Sequence, residues 1–336
     1  MKIKSLQIQN FKSIENLVLT EPNPFSVFVG PNGAGKSNIF EAILFVRILS
    51  FLPPNSAIEL LGSPNDVLKK DGFLFEFLFN SFDSVLRLPP HDIKNNVVHK
   101  SFSSRNFIWQ NFNEKRKSGS EYDYLNKDEY NQFFRKFSKI FLGAGKTKEL
   151  PFTFDNNLLA DGSNMERVLK TLLEKGKKEE IVEWLRVLIP EFKDIEIKTS
   201  ELSGEVSFVI YEKSTNKPFP KHLVSDGTQN ILALLCAVYQ SDEPQFLCIE
   251  EPENGLHPYV IEALVGIFRN ACKEKGHYIW LNTHSETLVR QLTIDEIIVV
   301  DKMNGATRAR QFQGEDLFGL EMDEAWLTNA LGGGLP

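Results

Sequence analysis

Cysteine is scarce: Cys236, Cys248 and Cys272 are the only three in 336 residues, each in an apolar or helical context. An odd count at wide spacing excludes a disulfide framework and offers no metal-ligand pattern, so the three read as buried thiols of a reducing compartment. Long apolar runs are missing as well. No 18-residue hydrophobic span occurs, and the opening MKIKSLQIQNF lacks the continuous apolar stretch of a secretory signal. A cytoplasmic protein with no membrane role is expected. No internal repeat is visible, and no heptad run is long enough for an extended coiled coil. Charge of one sign does not dominate: 38 basic and 45 acidic residues give −7, which excludes a uniformly basic surface but not a local basic patch. Tyrosine (7) and tryptophan (4) are few beside 27 phenylalanines, and none of the runs forms a regular stacking platform, so the aromatics are assigned to the core.

What is present is organised around residues 25–41, FSVFVGPNGAGKSNIFE. A short apolar run stops at Gly30, and Gly33, Gly35, Lys36 and Ser37 complete G-x-x-x-x-G-K-S ahead of an amphipathic stretch. Strand, glycine-rich turn and helix are the context in which this spacing makes a phosphate site. Glycines allow the backbone N–H groups to turn inward as an anion nest, and the helix adds its positive end. Asn32, Gly33, Gly35, Lys36, Ser37 and Asn38 form the expected nucleotide-contacting set. Lys36 is expected on the β- and γ-phosphates and Ser37 on Mg²⁺, so ATP and Mg²⁺ are the expected cofactors.

Before this motif, residues 2–9 alternate as an edge or second-sheet strand, and 14–19 are its partner. After it, Ile39, Phe40, Ile43, Leu44 and Ile48 mark the packing face of a helix. Residues 55–160 are the least legible. Phe73–Phe79 reads as a buried strand. The stretch 91–132, with Lys94, Lys100, Arg105, Lys115, Arg116 and Lys117, reads as an irregular insertion, its charges a solvated face or a nucleic-acid contact. Ser163 with Glu166 has the spacing of a capping box opening a helix. A second helix runs to Pro190, and strands are expected at 195–198 and 206–211. From Leu223 on, strands and helices alternate, as in a mainly parallel sheet covered by helices.

Four late segments carry chemistry. Phe246–Glu251 is an apolar strand ending in two carboxylates; Glu250 is expected on the metal and Glu251 as the general base activating water. Pro252–Pro258 is a tight loop. Asn282-Thr283-His284-Ser285 follows a further strand and sets His284 near the γ-phosphate or the attacking water. Leu223–Gln229 opens an apolar helix, where Ser225 and the Gly227 N–H offer a second anion-binding terminus.

Together with Asn10-Phe11-Lys12-Ser13, these motifs resemble the ATPases of the ABC/SMC/RecF superfamily, and more narrowly the RecF-like or OLD-like stand-alone chains without a Toprim domain. GPNGAGKSN is similar to its Walker A motif, FLCIEEPENGLHP to Walker B with the following D-loop, LVSDGTQ to the signature motif and NTHS to the switch histidine. The resemblance covers residues 1–50 and 223–300. It implies an α/β P-loop NTPase head of ABC type: a mainly parallel sheet covered by helices, an accessory antiparallel sheet and an inserted, mostly helical lobe. Residues 1–50 and 216–305 would form the head, 51–215 the inserted region with some head strands, and 306–336 a tail whose Trp326, Leu327 and Leu331 could dock to a partner. Glu315, Asp316, Glu321, Asp323 and Glu324 there read as a solvated helix start.

The resemblance further implies a homodimer that sandwiches ATP between heads, with Ser225 and Gly227 acting in trans on the P-loop of the other copy. The implied function is an ATP-hydrolysing switch controlling a nucleic-acid transaction, in anti-phage defence or DNA repair, with a separate nuclease or toxin as effector. The alternative is a regulatory or scaffolding ATP-binding module with little turnover. Two departures stand out. No Q-loop glutamine is evident between residues 50 and 100, where LGSPNDVLKK stands, and Glu250 replaces the usual aspartate, which points to slow hydrolysis.

Overall fold

The computed structural model describes residues 2–49, 52, 54–68, 73–79, 83–88, 99–103, 136–143, 157–215, 217–314 and 319–331. The P-loop strand β3 (Phe25–Val29) is buried at all five positions, as are the five of β12 (Tyr278–Asn282), and β11 (Phe246–Glu250) is buried up to its last residue. Continuous apolar runs of this kind suit a sheet covered on both faces. By contrast β2 (Ile14–Thr20) alternates between buried and exposed, the pattern of a strand with one solvated face.

These two kinds of strand share one eleven-stranded sheet among the described residues. Its parallel block runs β13 (Ile297–Met303), β3, β12, β11 and β7 (Phe137–Phe141). β14 (Ala306–Gln311) pairs antiparallel with β13 and parallel with β2, joining the block to an antiparallel wing. The wing continues through β1 (Ile3–Phe11), β4 (Phe73–Phe79), β5 (Asp83–Leu88) and β6 (His99–Ser103). A separate three-stranded antiparallel sheet holds β8 (Phe192–Thr199), β9 (Val206–Glu212) and β10 (Phe219–Pro220).

One core lies under α1 (Lys36–Ile48) and is built largely from rings. Phe28 meets Phe40 at 5.3 Å edge-on, and Phe246 meets Trp280 at 4.8 Å, also edge-on. Such pairs contribute about 0.5–1.5 kcal/mol each beyond the area they bury. The opposite face is covered by α4 (Met165–Glu174), α5 (Lys178–Leu188), α6 (Asp226–Tyr239) and α7 (Pro258–Lys275). Short helices α2 (Pro54–Leu61) and α3 (Pro64–Val67) follow α1, and α8 (Glu286–Arg290) follows β12. All three cysteines are buried, and burial raises each thiol, Cys272 to about 12. No described helix is long and apolar enough to cross a membrane.

Four expectations change. β1 is an inner strand, paired on both sides, because the chain returns after α3 to lay β4 along its open edge. Ser163 does not cap α4; Asn164 occupies that position, and its side chain is used by Leu159 N and Asn157 O at 2.8 and 2.9 Å. Glu166 is buried and pairs with Lys221 instead. Residues 306–311, read as the start of a tail, are β14 of the main sheet, and α9 (Met322–Leu327) packs Trp326, with Leu331 after it, on the chain's own core, so of the three side chains expected to dock only Leu327 stays exposed. Asp323, read as solvated, is buried beneath Arg290 with Nη2 to Oδ2 2.5 Å. Of the stretch 91–132 only β6 is described; Lys94, Arg105, Lys115, Arg116 and Lys117 lie outside the described residues, as do Glu315 and Asp316.

Candidate functional site

The glycine-rich loop leaves β3 at Gly30, whose φ is +148° and where a Cβ would stand 1.9 Å from the Val300 carbonyl oxygen. Gly35 has φ +100°, and a Cβ there would come within 2.1 Å of Thr307 Oγ1. Both positions thus require glycine for close approach as well as for backbone conformation. Asn32 and Gly33 are exposed at the loop tip. No side chain caps the N-terminus of α1, which leaves its first N–H groups facing the loop.

Two residues far apart in sequence hold the loop. Thr307 Oγ1 donates to the Ala34 carbonyl at 2.8 Å and lies 2.6 Å from Ser13 Oγ. Asn38 Nδ2 donates to Ser13 Oγ at 2.6 Å, so this residue, expected among the nucleotide contacts, is engaged with the Asn10–Ser13 turn. Lys36 is buried, with Nζ donating to the carbonyls of Gly30 and Pro31 at 2.8 and 3.1 Å. Burial lowers its pKa to about 8, against the opposing pull of Glu251, Glu250 and Glu253.

The P-loop strand and the carboxylate strand are not neighbours; β12 lies between them. Asn282, the last residue of β12, fills the gap and donates Nδ2 to Ser37 Oγ at 3.3 Å, while Ser37 Oγ donates to Glu250 Oε2 at 2.8 Å. On the other side of β11, β7 supplies Lys139, whose Nζ is 2.5 Å from Glu250 Oε1. Nothing local marks Lys139, since β7 is distant in the chain and only sheet pairing brings it beside β11. Residues 50–100, where a Q-loop glutamine was expected, contribute no strand next to β11 among the described residues.

Glu251 adopts φ +48°, unusual for a non-glycine residue, and its N–H is held by the Asn282 carbonyl at 2.9 Å. Its Oε2 accepts from Asn254 Nδ2 at 2.9 Å. Glu253, not singled out from sequence, accepts at Oε1 from Thr283 Oγ1 (2.6 Å) and His284 N (3.1 Å), and burial raises its pKa. His284 is exposed, and its pKa is lowered by desolvation first and by Lys36 second, with Glu251 opposing. Lys36, Ser37, Glu250, Glu251 and His284 are therefore one cluster.

Ser225 and Gly227 belong to a different surface. Ser225 caps α6, its Oγ accepting from Thr228 N at 3.2 Å, and is exposed. At Gly227 a Cβ would lie 2.7 Å from the Gly255 carbonyl, so the helix start is pressed onto the loop that follows the carboxylates. Asn230 Nδ2 donates to the Asn254 carbonyl at 3.1 Å, and Asn254 in turn holds Glu251. Among the described residues no hydrogen bond or ion pair links Ser225 or Gly227 to the P-loop of the same chain.

Among the described residues no three His, Cys, Asp or Glu side chains come together as a metal cage. The Ser37 hydroxyl and Glu250 carboxylate are hard oxygen donors of the kind that hold Mg²⁺ when phosphate oxygens and water complete the shell.

Comparison with known proteins gives one family and several relatives. A family model described as "AAA domain, putative AbiEii toxin, Type IV TA system" matches residues 25–290. An ATP/GTP phosphatase of Helicobacter pylori is 22% identical, with 88% of each chain covered. The chromosome partition protein Smc of Methanocaldococcus jannaschii is 52% identical over 44 residues, which are 13% of this chain and only 4% of that protein. The DNA replication and repair protein RecF of Lactococcus lactis is 32% identical over 72 residues, 21% of this chain and 20% of the relative. Among solved structures, an Smc head bound to the C-winged helix domain of ScpA matches at TM-score 0.61 and 17% identity, covering 94% of this chain and 99% of that one. An SMC head domain from Thermotoga maritima matches at TM-score 0.55 and 16% identity, covering 93% and 100%. The fold is thus that of an SMC-type head domain.

Proposed function

The chain belongs to this AAA-domain family, and from that premise we propose that it is an ATP-binding and ATP-hydrolysing switch. Two copies close on nucleotide and so control a nucleic-acid transaction, in anti-phage defence or DNA repair, through a separate nuclease or toxin. The carrying observation is the bond from Ser37 Oγ to Glu250 Oε2 beside the buried Lys36. That bond ties the phosphate loop to the carboxylate strand across an intervening strand.

The residues fit the implied cofactors. The loop is narrowed to bare backbone at Gly30 and Gly35, an ammonium lies over its carbonyls, and the α1 terminus is uncapped, which together suit a polyphosphate. Ser37 and Glu250 would hold Mg²⁺, which when bound with ATP supplies charge neutralisation at the γ-phosphoryl group. Lys36 would exchange its carbonyl partners for phosphate oxygens. Glu251, fixed by Asn254, would orient a water and take its proton. His284, exposed beside Lys36 and Glu251, would donate to the γ-phosphate. Ser225 is exposed and neither it nor Gly227 is bonded to the chain's own P-loop among the described residues, which supports their use by a second copy. The Asn230–Asn254–Glu251 path then reports arrival of that copy to the general base.

The test is Glu251→Gln with ATP and Mg²⁺, read by light scattering and single-turnover hydrolysis. The expected result is a stable dimer with hydrolysis slowed at least about 10²-fold, the usual contribution of a general base. A monomer that binds ATP and hydrolyses it at the parent rate would overturn the reading.

A further inference from the structure

Lys139 is an unused charge at the centre of this site. It stands on β7 opposite Cys248 of β11, so it shares a sheet face with Glu250, two residues on, and with the helix α1 that covers that face. Ser37 and Glu41 are one turn apart on α1 and face it together. The result is a closed arrangement of four groups: Ser37 Oγ to Glu250 Oε2 2.8 Å, Glu250 Oε1 to Lys139 Nζ 2.5 Å, and Lys139 Nζ to Glu41 Oε1 4.0 Å. Glu41 is held from the far side by Lys12 of the Asn10–Ser13 turn. All three inner charges are largely withdrawn from water, with side-chain exposures of 13% for Glu250, 17% for Lys139 and 24% for Glu41.

A monodentate cation between two carboxylates, close to one and within reach of the other, has two stable positions. A divalent cation on Glu250 would place a second positive charge beside the Lys139 ammonium. In a site this withdrawn from solvent, that repulsion is little screened. Moving the ammonium toward Glu41 relieves it without leaving either carboxylate bare, because Lys139 and Lys12 then share Glu41.

We propose that Lys139 is a positioning residue that competes with the divalent cation for Glu250 and takes Glu41 as its alternative acceptor, so that Mg²⁺ loading is set against the Lys139–Glu250 ion pair. This rests on the ATP-site reading given above and adds a resident counter-cation to it. The arrangement makes the divalent requirement a tunable property of the strand β7, and it couples metal loading through Glu41 and Lys12 to the turn that holds the phosphate loop.

The test is binding of a fluorescent ATP analogue by the full chain at rising Mg²⁺, with the half-saturating Mg²⁺ concentration as readout. In Lys139→Met that concentration should fall about tenfold, equivalent to about 1.4 kcal/mol. In Glu41→Gln it should rise, because the ammonium loses its second acceptor. Lys139→Arg should stay near the parent, a rescue that a mere packing role would not produce. A shift of the first two variants in the same direction, or an unchanged midpoint in a folded Lys139→Met chain, overturns the proposal while leaving the ATP site intact. Failure of the parent chain itself to bind the analogue overturns both readings, and Lys36→Ala in the same titration serves as the non-binding reference. Thermal melts of each variant show whether it is folded, and if Lys139→Met is not, a raised midpoint in Glu41→Gln beside a parent-like one in Lys139→Arg supports the proposal, while an unchanged or lowered midpoint in Glu41→Gln overturns it.

Discussion

Glu253 Oε1 accepts the Thr283 hydroxyl at 2.6 Å, which fastens the loop after β11 to the loop after β12. The other carboxylate oxygen is buried and accepts no hydrogen bond among the described residues. The group is thus half satisfied, and its pKa is raised above the ordinary value of 4.5 by burial.

Stability should therefore depend on Glu253 with a definite sign. Between the ordinary carboxylate value and the raised one, the folded chain holds a proton that the unfolded chain has released, so stability falls as pH rises through that window. Glu253→Gln keeps an acceptor for Thr283 and removes the charge. Its melting temperature should fall less than the parent's as pH rises above the ordinary carboxylate value of 4.5. Parallel pH profiles for the two chains would refute this assignment.

Nucleotide binding should weaken above about pH 8, because burial sets Lys36 to lose its proton there and a polyphosphate would restore it. Binding should then take up a proton, and affinity should fall up to tenfold per pH unit above that value. Calorimetry in buffers of different ionisation enthalpy measures the uptake directly. Zero uptake at pH 8–9 would show that Lys36 stays charged throughout.

Gly35→Ala should be the more damaging of two loop substitutions. At Gly33, φ is +77° with nothing within 4 Å of a Cβ, so alanine adds only backbone strain of about 1–2 kcal/mol. At Gly35 the same kind of strain is joined by a clash with Thr307 Oγ1, the hydroxyl that carries the Ala34 carbonyl. Urea midpoints rank the two, and equal losses would mean that Thr307 moves aside freely.

Ser225→Arg and Lys36→Ala chains should each lack turnover, the first while still binding ATP. Mixed, they should regain about one working site per heterodimer, built from the intact P-loop of one chain and the intact α6 start of the other. This follows from the outward placement of Ser225 and the absence, among the described residues, of any bond from it to its own P-loop. A mixture that associates yet stays inactive would exclude the paired arrangement.

The glycine-rich loop, the carboxylates at the end of β11 and the Asn282–Ser285 segment could be picked out because each is a local pattern. The glycine spacing is set by backbone geometry over eight residues, and an apolar run ending in acids needs only its own neighbours to be recognised. The Asn38–Ser13 bond was hidden for the same reason: in sequence Asn38 belongs to the loop, and nothing local reveals Ser13 beside it. The capping box failed because Asn164, one residue further on, fixes the turn through Leu159 and Asn157 before Ser163 can act.

Local spacing and burial periodicity were enough to specify a glycine-rich loop between strand and helix and an apolar strand ending in acids. Which residues complete the site was decided only by the tertiary structure. Lys139, Asn282 and Thr307 reach it because sheet order places β7 beside β11, β12 between β3 and β11, and β14 against the wing. Strand order is a property of hydrogen-bond pairing between segments far apart in the chain, where every buried apolar strand resembles the next, and only the packing of the whole sheet selects one arrangement.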